Sequence, residues 1–226
     1  MTGGTGQRTL PPAASPAELR IAARRALRGL YAITPEDLRG PALVTATAAA
    51  VAGGAALVQY RAKHDDAAQR LADAHALAAA CRHAGALFFV NDDAELALAV
   101  GADGVHLGRD DGPIAALRAA QPRLLIGASC YAEPERARAA AAAGADYLAF
   151  GAVFPSPTKP AAVRAPLALF DEARALGLPL VAIGGITLVN AGEVIAAGAD
   201  ALAVVTDLFR APDIAARASQ YAQLWR

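Results

Sequence analysis

From Gly29 onward the chain repeats one pattern eight times: a short apolar run, then an alanine-rich stretch of helical length. The runs fall at 29–33, 56–60, 86–90, 104–106, 124–127, 147–150, 180–183 and 201–205. Brief runs rich in Val, Leu, Ile and aromatics read as strands covered on both faces. The stretches between them predict helices over 41–52, 65–83, 93–99, 112–119, 133–142, 166–176, 187–196 and 211–224. Strands alternating with helices make a parallel sheet, because parallel neighbours can be joined only by a crossover. The triplet Gly-Ala-Asp recurs at 101–103, 144–146 and 198–200, each time between helix and strand. Glycine there acts as a helix stop.

Eight strand–helix units close an α/β (β/α)₈ TIM barrel. The rival, a doubly wound open sheet, would gather fewer strand ends around one pocket. A chain of 226 residues, 55% of them hydrophobic, has the size and the core for one such domain. Residues 1–20, rich in Gly and Pro, are expected to form a flexible N-terminal arm, and residues 21–226 a single catalytic barrel domain.

Lys+Arg and Asp+Glu number 21 each. Such balance offers no basic stripe for nucleic acid, although a local group of cations suffices for a small anion. Cys81 and Cys130 match no metal spacing and no disulfide framework. No apolar run reaches membrane-spanning length, and the first residues lack the apolar segment of a secretory signal. The expectation is a cytoplasmic protein with small-molecule partners.

In a barrel the chemistry lies at the C-terminal strand ends. After the second strand, Gln59, Arg61 and Lys63 alternate, so in extended chain they share one side and face the mouth. After the third come Asn91, Asp92 and Asp93, and after the fourth Arg109, Asp110 and Asp111. Asp92 with Asp111 forms a candidate Mg²⁺ pair, to be completed by substrate phosphates; the alternative is that each caps a helix. His106 lies within a strand and is read as a packed side chain. Ser129 follows the fifth strand, with no His/Asp partner suggesting a nucleophile. After the sixth, prolines 155, 157 and 160 frame Ser156, Thr158 and Lys159 as a clamp for a polyanion. Gly184-Gly185 after the seventh strand and Val205-Thr206 after the eighth suit the phosphate site common to barrels.

The series QYRAK, NDD, GVHLGRDD, GASC, FGAVFPSPTK, AIGGIT and AVVT resembles, in order and spacing, the thiamine phosphate synthase family, from about Gly29 to Arg226. The resemblance implies coupling of a pyrimidine pyrophosphate with a thiazole phosphate, aided by Mg²⁺, with release of pyrophosphate. It implies that Gln59, Arg61, Lys63 and Asn91 bind the pyrimidine pyrophosphate and that Asp92 and Asp111 hold Mg²⁺. Ser129 and Lys159 would serve the pyrophosphate side, with Arg61, Lys63, Ser129 and Lys159 as the catalytic set. Ser156, Thr158, Gly185, Val205 and Thr206 would bind the thiazole phosphate. Three positions depart from the family's usual residues: Ser156 for Thr, Thr206 for Ser, and Arg109 where Gln is frequent. Barrels of this family can self-associate, which makes a homo-oligomer compatible with the sequence, although no interface is legible. The alternatives are a thiazole tautomerase-like paralogue, a sugar-phosphate isomerase or epimerase, and a non-catalytic thiazole-phosphate binder. The tautomerase carries a histidine where this chain has Ala152.

Overall fold

A computed structural model describes residues 14–155 and 163–225. Eight parallel strands close a barrel in chain order, each paired with the next and β8 with β1. They are β1 (Gly29–Ile33), β2 (Leu57–Tyr60), β3 (Leu87–Asn91), β4 (Gly104–Leu107), β5 (Leu125–Tyr131), β6 (Tyr147–Phe150), β7 (Leu180–Ile183) and β8 (Ala201–Val204). The (β/α)₈ expectation holds, and most strand limits fall within a residue of the predicted ones. Strand β5 is the exception. It runs on through Ala128, Ser129 and Cys130 to Tyr131, with a register shift between Ser129 and Tyr131. Small and polar residues there carry no strand signal.

Alternate side chains along each strand face the barrel axis. Tyr31, Ile33, Leu57, Phe89, Leu125, Tyr147, Ala149, Val181, Ala201 and Ala203 belong to one buried cluster inside the barrel. Their neighbours, such as Leu30, Val58, Phe88, Ile126, Leu148 and Leu202, pack outward against the helices in a second cluster. Glycine on the neighbouring strands makes room for the interior rings of Phe89 and Tyr147. A Cβ at Gly104 would lie 2.3 Å from the Phe89 ring, and one at Gly127 would lie 2.0 Å from the Tyr147 ring.

The helices between strands are α2 (Gly40–Ala52), α3 (Ala67–Ala84), α4 (Ala94–Ala99), α5 (Ile114–Ala120), α6 (Pro134–Ala142), α7 (Ala168–Ala173) and α8 (Ala191–Ala196). Beyond β8 lie a short α9 (Thr206–Phe209) and α10 (Ile214–Ala222). The predicted helix over 187–196 begins later, at Ala191, because Thr187–Asn190 form a turn in which the Asn190 side chain accepts from the Thr187 N–H at 2.8 Å.

The Gly-Ala-Asp triplets do more than stop helices. Asp103, just before β4, accepts from the Phe88 N–H of β3 at 2.8 Å. Asp146, before β6, accepts from the Ile126 N–H of β5 at 2.8 Å. Asp200, before β8, accepts from the Leu180 N–H of β7 at 2.9 Å. Each therefore fastens the start of its own strand to the start of the strand before it.

A helix absent from the sequence reading, α1 (Pro16–Arg24), precedes the barrel. Ser15 caps it in a reciprocal capping box with Glu18. The boundary placed at residue 20 thus falls inside this helix. It lies over the N-terminal strand ends, where Arg20 and Arg24 approach the fully buried Asp146 carboxylate at 2.8 and 2.9 Å. Arg118 approaches the same carboxylate from α5 at 2.5 Å. A buried carboxylate requires such partners, because burial alone disfavours the charged form.

Candidate active site

At the opposite end, the residues singled out in the sequence converge at the ends of β2 to β5. Gln59 points inward from β2, is 3% exposed, and donates through Nε2 to the Tyr31 hydroxyl at 2.9 Å. Arg61 lies just past the strand. Its N–H donates to Thr34 Oγ1 at 2.9 Å and its guanidinium pairs with Glu36. Lys63 stands further out, with Nζ 3.5 Å from Asp92 Oδ2. The alternating triplet is therefore at the mouth, but β2 ends at Tyr60, and the three side chains meet three different partners.

Asn91 closes β3. Asp92 follows with φ 64°, a left-handed conformation that Asp tolerates better than most residues. Its N–H donates across to the His106 carbonyl at 2.8 Å, while Asp93 turns away to cap α4. Asp111 lies on the neighbouring loop and accepts from the Gly108 N–H at 2.6 Å. Neither Asp92 nor Asp111 caps a helix: α4 is capped by Asp93, and the residue before α5 is Pro113. The helix-cap explanation does not apply to either. Burial, followed by a hydrogen bond and like charge from Asp92, pushes the Asp111 pKa up, while the Gly108 N–H and Lys63 work against the rise. Lys63 is the cation beside these two carboxylates.

Ser129, near the end of β5, has Oγ 2.8 Å from His106 Nε2. The other nitrogen of His106, Nδ1, is 2.8 Å from the Tyr147 hydroxyl. His106 is packed, as expected, and it also joins the site, which the sequence did not reveal. Burial drives its pKa down to about 4, against an opposing pull from Asp111, so the ring is neutral at physiological pH. Arg136 of α6 was also missed. It donates to the carbonyls of Ser129 (2.6 Å) and Gly108 (2.8 Å), tying the loop after β4 to the end of β5. Arg109 pairs with Glu133, and its guanidinium lies 5.1 Å from the centre of the Tyr131 ring. Cys130 and Cys81 are buried, and both thiols are pushed up to about 12 by burial; they behave as small apolar fillers.

Across the mouth, the loop after β7 is held close. Gly184 and Gly185 have φ of 103° and 64°, and added Cβ atoms would meet Ala152 at 2.5 Å and the Pro155 carbonyl at 2.4 Å. The Asn190 side chain donates to the Gly185 carbonyl at 3.0 Å. Val205 precedes α9, and Thr206 opens it. Ser156, Thr158 and Lys159 lie outside the described residues. Among the described residues no group of three or more His, Cys, Asp or Glu side chains is placed to hold a metal ion. The Asp92–Asp111 pair still suits Mg²⁺, which is commonly bound by one or two carboxylates plus substrate phosphates.

Known proteins bear on this geometry directly. The family model described as thiamine monophosphate synthase matches residues 30–208. A thiamine-phosphate synthase of Aromatoleum aromaticum is 60% identical over 201 residues, covering 88% of this chain and 97% of that protein. One of Chromobacterium violaceum is 59% identical over 196 residues, covering 85% and 93%. The solved thiamine phosphate pyrophosphorylase of Pyrococcus furiosus superposes with a TM-score of 0.81 at 36% identity, covering 89% of this chain and 96% of that one. The matched span takes in every strand end from β1 to β8 but the first residue of β1, and with it the whole mouth just described, so the chain belongs to the thiamine monophosphate synthase family.

Proposed function

We propose that this chain is a thiamine phosphate synthase. It joins 4-amino-5-hydroxymethyl-2-methylpyrimidine pyrophosphate to 4-methyl-5-(2-phosphoethyl)thiazole, giving thiamine phosphate and pyrophosphate. The observation that carries this reading is the Asp92–Asp111 pair at the mouth, where burial and then the neighbouring Asp92 raise the Asp111 pKa, with Lys63 3.5 Å from Asp92. Such a pair favours a divalent cation and, through it, a polyanionic substrate. A sugar-phosphate isomerase has no need of it. When bound there by Asp92 and Asp111, Mg²⁺ supplies charge neutralisation to the departing pyrophosphate.

The remaining work falls to the chain's own side chains. Gln59 and Asn91 orient the pyrimidine, and Lys63, Lys159 and Ser129 hold the pyrophosphate. Arg61 joins them by exchanging Glu36 for a phosphate oxygen; the Glu36 side chain is 49% exposed, and so open a pair is weak. Ser156, Thr158, Gly185, Val205 and Thr206 receive the thiazole phosphate. The bond from the pyrimidine methylene carbon to the pyrophosphate oxygen breaks, and its electron pair leaves with that oxygen. The aminopyrimidine spreads the resulting positive charge, and the thiazole nitrogen lone pair forms the new C–N bond. No general base is required. The catalytic contribution is preorganised charge at the leaving group. Every residue invoked belongs to one chain, residues 21–226 acting as one domain, with cytoplasmic small molecules as partners. No helix among the described residues is long and apolar enough to cross a membrane.

The test is to supply both substrates to the purified protein and follow both products, with Mg²⁺ and then with EDTA. Equal, Mg²⁺-dependent yields of thiamine phosphate and pyrophosphate are expected. A folded protein that binds thiazole phosphate yet forms neither product would overturn the assignment.

A further inference from the structure

Two residues assigned to substrate, Gln59 on β2 and Ser129 on β5, are joined through the barrel interior by an unbroken line of hydrogen bonds. Gln59 Nε2 donates to Tyr31 Oη at 2.9 Å, and Tyr31 Oη is 2.9 Å from Tyr147 Oη. Tyr147 Oη is 2.8 Å from His106 Nδ1, and His106 Nε2 is 2.8 Å from Ser129 Oγ. Tyr31 and Tyr147 are 1% and 0% exposed. The ring of Phe89 packs against both, at centroid distances of 5.8 and 5.6 Å. At these separations the groups bond one another directly, and the buried hydroxyls find their partners within the line.

Counting hydrogens ties every bond in the line to one choice, which way the Gln59 amide faces. An amide nitrogen can only donate. Tyr31 therefore accepts from Gln59, and its single hydrogen goes to Tyr147. The Tyr147 hydrogen then goes to His106 Nδ1, the ring hydrogen must sit on Nε2, and Nε2–H donates to Ser129. Four hydrogens serve four bonds, and the Ser129 hydrogen remains free for a ligand. An imidazolium would leave the Tyr147 hydrogen with no acceptor. Turning the Gln59 amide over would reverse every bond. His106 would then carry its hydrogen on Nδ1, and Ser129 would spend its own on the ring and offer a ligand only lone pairs. Phosphate oxygens accept and do not donate, so only the first direction serves a pyrophosphate.

We propose that this line is held in one direction, so that the orientation of the Gln59 amide sets His106 as the Nε2–H tautomer and Ser129 as a hydrogen-bond donor to the leaving pyrophosphate. Tyr31, Tyr147 and His106 are then positioning residues. Buried beneath the mouth, they act by fixing which way Ser129 points its hydrogen. The same direction leaves the Gln59 carbonyl oxygen as the acceptor it offers at the mouth, the partner an exocyclic amine requires. The two ends of one substrate, amine and pyrophosphate, are thereby read by a single orientational setting. This inference rests on the proposed function for its ligand and for the choice between the two directions, while the line of hydrogen bonds itself does not depend on it.

The decisive measurement is a long-range proton–nitrogen correlation spectrum of the substrate-free protein with labelled histidine. The chain has four histidines, and His106→Gln assigns the signal. The Nε2–H tautomer is expected; the Nδ1–H tautomer, a mixture or an imidazolium at pH 7.5 would overturn the proposal. A second arm uses Tyr147→Phe, which keeps the ring and removes the hydroxyl. It should lower kcat about tenfold, the size of one lost hydrogen bond to a charged partner, with KM for the thiazole phosphate unchanged. Because Tyr147 acts through Ser129, adding Tyr147→Phe to Ser129→Ala should cost nothing further. Losses that multiply in the double variant would mean a merely structural role and sink the idea. Absence of turnover in a wild-type protein with the expected tautomer would overturn the functional assignment and leave the line of hydrogen bonds standing.

Discussion

Gly127 and Tyr147 occupy one volume between them: a Cβ at 127 would stand 2.0 Å from Tyr147 Cζ and 2.3 Å from its hydroxyl oxygen. Gly→Ala in a strand ordinarily does little harm or helps, because it restricts the unfolded chain. Here the sign reverses. Gly127→Ala should cost about 1–3 kcal/mol through overpacking, lowering Tm by roughly 2–12 °C for a chain of this size. It should also depress kcat, since the displaced ring carries a hydroxyl bonded to His106. A thermal melt alongside turnover checks both, and an unchanged or raised Tm would contradict the packing.

Asp111→Asn separates function from stability. The asparagine oxygen still accepts from the Gly108 N–H, while the like charge beside Asp92 disappears. Turnover should fall on the order of 100-fold, the scale of losing one preorganised electrostatic partner, while Tm holds steady or rises. In the wild type, added Mg²⁺ should raise Tm, and less so as pH falls toward the raised Asp111 pKa, where a proton competes for the carboxylate. In the variant that Mg²⁺ response should shrink at every pH.

His106 gives stability a pH dependence with a definite sign. Its folded pKa of about 4 lies below the ordinary 6.5, so between those values the unfolded chain binds a proton that the folded one refuses. Stability is lost as pH falls through that window and is fully present above it. The full contribution is roughly 3 kcal/mol. Urea unfolding of wild type and His106→Gln, measured between pH 7 and pH 4, should show the wild type losing more stability by about that amount. Parallel losses in the two proteins would remove His106 from the account.

At the other end of the barrel, Asp146→Ala would strand three arginines around a site that was fully buried. Breaking such a cluster costs about 3–5 kcal/mol. Because the cluster lies away from the mouth, kcat per folded molecule should stay near the wild-type value. Active-site titration against denaturant stability measures the two separately.

The barrel was legible because its signal is a repeat, and eight occurrences outweigh the ambiguity of any single run. The mouth was legible wherever polar residues interrupt an apolar run, as at Gln59, Asp92 and Asp111. What escaped notice were residues whose role depends on a partner distant in sequence. His106 resembles any strand histidine until Ser129 and Tyr147 are set beside it. Tyr31 and Tyr147 resemble core aromatics, which they also are. Arg136 sits in a helix whose charge pattern looks solvated, yet its fork holds one carbonyl of β5 and one of the loop after β4. Helix α1 was passed over because Gly and Pro upstream mask a short helix that Ser15 begins cleanly.

The three aspartates of the Gly-Ala-Asp triplets have a consequence for strand alignment. A closed ring of parallel strands has no free edge at which a slipped pairing could be absorbed, so an error at one seam must be passed around the ring. Asp103, Asp146 and Asp200 lock the seams β3–β4, β5–β6 and β7–β8 at their starting ends. Within the closed ring the β3–β4, β5–β6 and β7–β8 pairs are thus three doublets whose relative alignment is held by a side chain as well as by the strand ladder.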